Sequence, residues 1–470
     1  MKASKNISRR KFLGQASCAG VGSSALFSTL FNLRMSSVAA AQSSSSEDYK
    51  ALVCVFLGGG NDSFNMLVPS SGTAYSDYQA IRSDLALSSS TLLNLNVGNS
   101  DGRDFGLHPS MPEVQSLFNT GKAAMVCNVG TLVEPTSLTG INNGSARLPL
   151  GLYSHSDQIT HWQTSVPDQR STTGWAGRVA DILESANQDD TVSMNISLSG
   201  NNVFQTGKQV SSFVAGYDAE GGEEPDGLFD SLNPDPYQEF LSSNVRSMID
   251  QEYLNIFEQN YASSVKNSLD GRLAYKQALE GVPTLTTQFP SAGIGPAMRT
   301  VARTIAARQA LGKRRQTFFV MFGGWDHHDE VLNTQQQMLA AVSRGISALQ
   351  SAMEELGVED KVTTFTASDF GRTLTSNGRG SDHAWGGNHI VSGGAVNGGL
   401  LYGNYPELYS GNNLDTGRGR LIPTTSVDEY FAELALWFGV DRSALPSLFP
   451  NLDRFYNLDA SGYPLGFLKS

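Results

Sequence analysis

Cysteine is almost missing from this chain: three in 470 residues, at positions 18, 54 and 127. So few thiols exclude a disulfide framework, leaving room for one bridge at most. Basic charge is scarce too, with 33 Lys and Arg against 45 Asp and Glu and a net charge of −12. A chain this acidic lacks the basic surface that phosphate contacts require, which argues against nucleic-acid binding. Nor is there an unbroken apolar run of the ~20 residues needed to cross a bilayer. The weakly apolar stretch over residues 13–33 is interrupted by Ser and Gly and closed by Arg34. Histidine is sparse as well, but its placement is not random. His108, His155, His161, His327, His328, His383 and His389 sit in short Asp-rich or Gly-rich segments, and four of them accompany Asp326, Asp329, Asp369 and Asp382. Neutral imidazole nitrogen and anionic oxygen together suit a borderline divalent ion, so the pattern predicts a metal-dependent site.

The first residues read as a targeting segment rather than as part of the fold. Ser8-Arg9-Arg10-Lys11-Phe12-Leu13 resembles a twin-arginine export signal, and Ala39-Ala40-Ala41 offers the small residues of a cleavage site before Gln42. This resemblance implies a signal peptide over residues 1–41, passage through the twin-arginine (Tat) translocase, a periplasmic or secreted location, and no stable membrane insertion after cleavage. Gln15-Ala16-Ser17 makes Cys18 a poor lipidation site. The segment carries Lys2, Lys5, Arg9, Arg10, Lys11 and Arg34 and no acid, so removing six positives from −12 leaves −18 on the remainder. Cys54 and Cys127 lie in apolar runs at 51–57 and 123–129 and are expected to be buried thiols, with a single disulfide left open.

Residues 42–49 form a short Ser-rich linker, and 50–470 are expected to make one large α/β domain. Apolar runs alternate with helical patterns, which predicts a mostly parallel central sheet flanked by helices. Strands are expected at 51–57, 123–129, 191–198, 317–322 and 361–367. Helices are expected at 109–120, 158–163, 175–185, 298–311, 331–356 and 427–438, the last capped by one of Thr424, Thr425 and Ser426. Residues 216–285 stand out as an acidic Gly/Pro loop followed by a long helical pattern, and read as an insertion.

Four segments share one grammar: a strand, a turn, then ligand-type side chains, as expected where open α/β sheets build sites. Gly58-Gly59-Gly60-Asn61-Asp62 permits a sharp turn that would carry Asp62 into a cleft as a metal carboxylate. Ser154-His155-Ser156-Asp157 opens a helix, where Ser154 is either an N-cap or a hydroxyl nucleophile assisted by oriented N–H groups. His161, on that helix, reads as packing or support. Gly323-Gly324-Trp325-Asp326-His327-His328 follows a strand, and Asp326 and His328, two apart in extended chain, can point the same way while His327 faces away as a hydrogen-bond partner. The fourth segment runs from Ser368-Asp369-Phe370-Gly371-Arg372 to Asp382-His383 and His389, the Asp382-His383 pair lying in a Gly-rich loop. Arg372 is either an anion-binding fork or half of a structural salt bridge.

Taken together, these segments resemble a Tat-exported bacterial family known as domain of unknown function fifteen-oh-one, grouped with the alkaline phosphatase and sulfatase superfamily. The likeness runs from residue 57 through Gly417-Arg418-Gly419-Arg420. It implies an alkaline phosphatase-like fold and an exported metal-dependent hydrolase of phosphate or sulfate esters, small or polymer-borne. Its cofactor would be one or two divalent ions (Zn, Mn, Mg or Ca). By this resemblance Asp62, Asp369 and His383 hold an ion that activates Ser154. Asp326, His328 and His389 hold a second, Asp382 substitutes for a missing ligand, and Arg372 binds an ester oxygen. Two departures favour a rival reading, a non-catalytic metal- or ligand-binding envelope protein. Phe370 stands where the phosphatases carry His, and Asp326 and His328 are separated by one residue rather than three.

Overall fold

A computed structural model describes residues 49–216 and 236–469. The expected signal peptide, nearly all of the linker and the acidic loop of the insertion lie outside the described residues.

The main sheet has the order β11-β5-β10-β9-β1-β8-β6-β7. In chain order its strands are β1 (Lys50–Gly58), β5 (Ala123–Gly130), β6 (Asn195–Ser197), β7 (Phe213–Val214), β8 (Arg315–Gly323), β9 (Val362–Ser368), β10 (Gly387–Ser392) and β11 (Leu401–Tyr402), with β12 (Thr425–Ser426) also paired to β5. A separate small sheet is built from β2 (Leu67–Pro69), β3 (Leu93–Asn94) and β4 (Phe105–Leu107). In the main sheet β1 pairs in parallel with both β8 and β9, and only β10 runs against its neighbours β5 and β9. The expected mixed α/β fold with a mostly parallel sheet is therefore present.

β1 shows why the sheet sits at the centre. Its side chains alternate between two cores, as a period-2 strand buried on both faces must. Ala51, Val53, Val55 and Leu57 join one core with α2 (Pro112–Asn119), α7 (Gly295–Ala306) and α8 (Val331–Glu355). Leu52, Cys54 and Phe56 join the other with α3 (His155–Thr164), α4 (Trp175–Leu183) and α9 (Val427–Phe438). α1 (Gly72–Arg82) packs beside the small sheet. The insertion contributes α5 (Pro236–Ile249) and α6 (Ile256–Glu280). Cys54 and Cys127 are both buried and free, and they belong to opposite cores, so the open disulfide is not formed.

Ser426 is the residue that caps α9, and it does so in a reciprocal box with Glu429. The antiparallel β10 and the small sheet were not legible in sequence. Asn388, His389 and the flanking glycines hide the period of β10. Its polar side chains are buried because they are bonded: the Asn388 backbone N–H donates to Ser63 Oγ at 2.8 Å and its side-chain amide to Ser63 O at 3.3 Å.

Candidate metal centre

The carboxyl edge of the sheet gathers the chemistry. Asp326 and His328 follow β8, Asp369 follows β9, and the Gly58–Asn61 turn leaves β1. His383 precedes β10. Because β10 is antiparallel, its amino end lies at the edge where its neighbours finish, which brings a downstream histidine to the same place. His155 is the first residue of α3. Close approach of the loops depends on Gly59, held at φ +121, where a Cβ would meet the Asp326 amide nitrogen at 2.5 Å.

One carboxylate oxygen is the hub. Asp326 Oδ1 lies 3.0 Å from His328 Nε2, 3.3 Å from His383 Nε2 and 3.4 Å from His155 Nε2. Arg372 Nη1 completes the surround at 2.7 Å. His328 Nε2 and His383 Nε2 are 3.0 Å apart. Ligand atoms of His155, Asp326 and His383 all fall within 4.8 Å of one another. Two ligands of a tetrahedral ion with bonds of ~2.0–2.1 Å stand roughly 3.3 Å apart, so this spacing is that of a collapsed ligand set.

Each imidazole is held from behind. His155 Nδ1 faces Asp369 Oδ2 at 2.7 Å, and the other oxygen of that buried carboxylate accepts the Gly59 N–H at 3.0 Å. His328 Nδ1 faces Asp382 Oδ1 at 3.0 Å. His383 Nδ1 faces the Tyr153 carbonyl at 2.8 Å. A carbonyl or carboxylate can only accept, so all three Nδ1 atoms carry a proton, and in their neutral form the three rings turn Nε2 lone pairs toward Asp326 Oδ1. Neutral His328 and His383 would then oppose two lone pairs at 3.0 Å, which requires a proton or a cation between them. His155 Nε2 is buried and has no hydrogen-bond partner. The donor set that closes to ligand spacing, the imidazole nitrogens of His155 and His383 and one Asp326 oxygen, with His328 Nε2 3.0 Å from that same oxygen, fits a divalent transition ion such as Zn.

Electrostatics act on the rings in opposite directions, drawing His155 toward its protonated form and His383 away from it. Hydrogen bonding to Asp369 raises the His155 pKa against partial burial. Burial pushes the His383 pKa down, in the direction of a free ligand. For Asp326 partial burial works upward, but the Arg372 hydrogen bond and charge outweigh it and hold the carboxyl below its usual range. Asp382 is likewise opposed by desolvation, yet bonds from Asn377, His328 and Arg418 bring it to about 2.

Of the residues marked in sequence, Asp326, His328 and His383 come together. Asp369 and Asp382 stand behind His155 and His328 rather than facing the centre, because their oxygens are spent on Nδ1 atoms. Asp62 turns inward, fully buried, where Oδ2 accepts from Arg82 at 2.7 Å and from Ser381 Oγ at 2.8 Å while Oδ1 has no partner among the described residues, so it stands in a buried ion pair apart from the His155, Asp326 and His383 group. His389 lies within β10, buried against Trp162 at 4.7 Å and Tyr430 at 6.0 Å, and burial pushes its pKa to about 3. It belongs to the core because it is inside the strand, not ahead of it. Arg372 is buried and spent on Asp326 and the Ser381 carbonyl, the structural alternative to an anion fork. His327 faces away as expected, but neither ring nitrogen has a hydrogen-bond partner. Phe370 packs on His155 and His383 with ring centroids at 4.8 and 4.6 Å.

Ser154 occupies the N-cap position of α3, but its hydroxyl makes no cap bond and lies 3.3 Å from Ser156 Oγ. The functional residue that sequence reading passed over is its neighbour, His155. The motif was noticed for its serine; the signal available was a histidine in the first turn of a helix whose other His, His161, is spent on the Leu150 carbonyl at 2.8 Å.

The model of a family described as protein of unknown function (DUF1501) matches residues 49–445. No curated protein matches the sequence. Among solved structures, Ps i-CgsB in complex with k-i-k-neocarrahexaose is 11% identical at a TM-score of 0.33, covering 86% of this chain and 77% of its own. PsFucS1 sulfatase from Pseudoalteromonas sp. is 9% identical at a TM-score of 0.35, covering 93% and 77% respectively. Likenesses this distant carry no argument, and the fold assignment rests on strand order and direction. With a match that spans the sheet, its helices and the ligand set, the chain belongs to the DUF1501 family.

Proposed function

We propose that this protein is an exported metal-dependent hydrolase of phosphate or sulfate esters, with one divalent ion held by His155, Asp326, His328 and His383. The observation that carries the reading is the convergence of three Nδ1-tethered imidazoles on one carboxylate oxygen. A bound ion there supplies Lewis-acid polarisation of an ester oxygen and acidifies a hydroxyl or water beside it. The protein's own residues do the rest. Asp369, Asp382 and the Tyr153 carbonyl orient the rings, and Arg372 keeps Asp326 ionised. Ser154 is the candidate nucleophile: its hydroxyl is unspent on the cap, it adjoins His155 in sequence, and it sits at a helix N-terminus where oriented N–H groups favour negative charge. Of the one or two ions expected from sequence, a single one is favoured here, since Asp62 pairs with Arg82 and His389 lies in the core.

The test is metal analysis of protein purified without chelator, followed by assay on aryl phosphates and aryl sulfates with Zn, Mn, Mg and Ca. Near-stoichiometric metal in the wild type, lost in His155→Ala, supports the centre. Ester turnover abolished by Ser154→Ala and by Ser154→Gly, with metal retained, supports the nucleophile. Bound metal without turnover of either ester leads to the second reading, a non-catalytic metal-binding envelope protein. Phe370 favours that alternative, since it stands where the phosphatases carry His and packs on the rings of His155 and His383.

A further inference from the structure

In the Gly417-Arg418-Gly419-Arg420 segment, one arginine ends on the carboxylate behind His328 and the other on the backbone of His383. The loop is shaped by Asp415, whose Oδ1 accepts the N–H groups of Gly417 and Gly419, each at 2.8 Å. Arg418 is held at φ +65, a left-handed conformation that costs a non-glycine residue roughly 1 kcal/mol. Its carbonyl and that of Gly419 accept the N–H groups of Thr375 and Leu374.

From this strained position Arg418 Nη1 reaches Asp382 Oδ2 at 2.7 Å, and the other oxygen of the same carboxylate holds His328 Nδ1 at 3.0 Å. Two residues on, Arg420 Nε donates to the backbone carbonyl of His383 at 3.0 Å, and its guanidinium lies 5.4 Å over the Tyr153 ring. Tyr153, also left-handed at φ +73, is the residue whose carbonyl receives His383 Nδ1–H. One short loop therefore touches the supports of two of the three imidazoles, by separate routes. Backbone strain is retained at both Arg418 and Tyr153, the two points where the brace meets the site.

We propose that Arg418 and Arg420 are positioning residues for the metal centre. Arg418 fixes the His328 ring through Asp382, and Arg420 fixes His383 through its own carbonyl and through Tyr153. This rests on the metal-centre reading above. Without Arg418, Asp382 loses one of the two side-chain donors that fix its rotamer, Asn377 at 3.1 Å being the other, so the acceptor of His328 Nδ1 is less firmly oriented. Without Arg420, the His383 carbonyl and the Tyr153 ring each lose a contact, while the backbone bonds of Asp382 and Ala384 remain. Outer partners of this kind set ligand orientation and hence metal affinity.

The experiment uses the full chain. Zn affinity is measured by competition with a chromophoric chelator, and the Co-substituted protein is followed by its visible absorption. Arg418→Ala and Arg420→Ala are expected to weaken Zn binding roughly 10- to 100-fold and to change the Co spectrum, with metal-free melting temperature little altered. Arg418→Lys should recover part of the loss. Arg379→Ala is the control: this arginine is paired to Asp329 and Glu330 and touches no ligand, and it should bind Zn like the wild type. Wild-type affinity in both alanine variants, or an equal loss in Arg379→Ala, overturns the brace while leaving the metal centre standing. If either alanine variant fails to fold, Arg418→Lys and Arg420→Lys decide, and an unshifted Co spectrum in both overturns the proposal. Wild-type protein that takes up neither ion overturns the metal centre, and the brace with it.

Discussion

His328 and His383 turn their Nε2 atoms toward each other at 3.0 Å, while each commits its Nδ1 proton to an acceptor behind it. Two neutral imidazoles in that arrangement repel. The contact is explained when something positive lies between them, and Asp326 Oδ1, at 3.0 and 3.3 Å from the two nitrogens, supplies the balancing charge.

Chelation should therefore cost stability. An ion that binds only the folded state at 100 times its dissociation constant stabilises by about 2.7 kcal/mol. Adding Zn to metal-stripped wild type is expected to raise the melting temperature by several degrees. The same addition should leave His328→Ala unmoved. Calorimetric scans with and without Zn decide this, and an equal rise in both proteins would speak against His328 as a ligand.

Asp369→Asn tests the support behind His155. The amide is the same size, but it can present its N–H₂ to Nδ1 and so favour the wrong tautomer. Zn affinity should fall roughly 10- to 100-fold with the far-ultraviolet circular dichroism unchanged. A chelator titration giving wild-type affinity would show that the 2.7 Å contact does not matter.

Asp62→Ala separates a buried ion pair from a metal ligand. Both Asp62 and Arg82 have fully buried side chains, so removing the acid strands a cation and should cost about 3–5 kcal/mol. Metal content of the folded fraction should stay at the wild-type level. A variant of normal stability that has lost its metal would reverse the assignment.

Asp428 should make stability depend on pH. Its carboxyl is fully buried in α9, and burial pushes its pKa up to about 8 even though the Ser165 hydroxyl and the Arg178 charge pull it down. The folded protein then keeps a proton that the unfolded chain releases near pH ~4. This favourable term is whole below pH ~4 and is lost as pH rises toward about 8. Denaturant midpoints should fall over that interval in the wild type by an amount equivalent to a few kcal/mol. Asp428→Asn should flatten the slope, gaining most over the wild type at the alkaline end. Parallel curves for the two proteins would place the titration elsewhere.

What the sequence determined by itself was periodic or local. The two-faced apolar run of β1 announces a central strand, the 331–356 pattern anticipates α8 to within a residue, and the cap of α9 is narrowed to Thr424, Thr425 and Ser426, of which the structure selects Ser426. Asp326 and His328 could be paired in advance because two residues of extended chain suffice to align them. Tertiary structure alone decided the rest, because the remaining ligand geometry comes from residues far apart in the chain. His383 reaches the centre only because β10 runs antiparallel and starts at the edge where β8 and β9 end. Its neighbour in sequence, His389, goes to the core for the same reason. Asp62 and Asp369 both follow strands and look alike in sequence. One meets Arg82 and is consumed, and the other meets His155 and orients it. A carboxylate has the same affinity for a guanidinium, an imidazole or a metal ion wherever it is written in the chain, and which of them it meets is settled by packing.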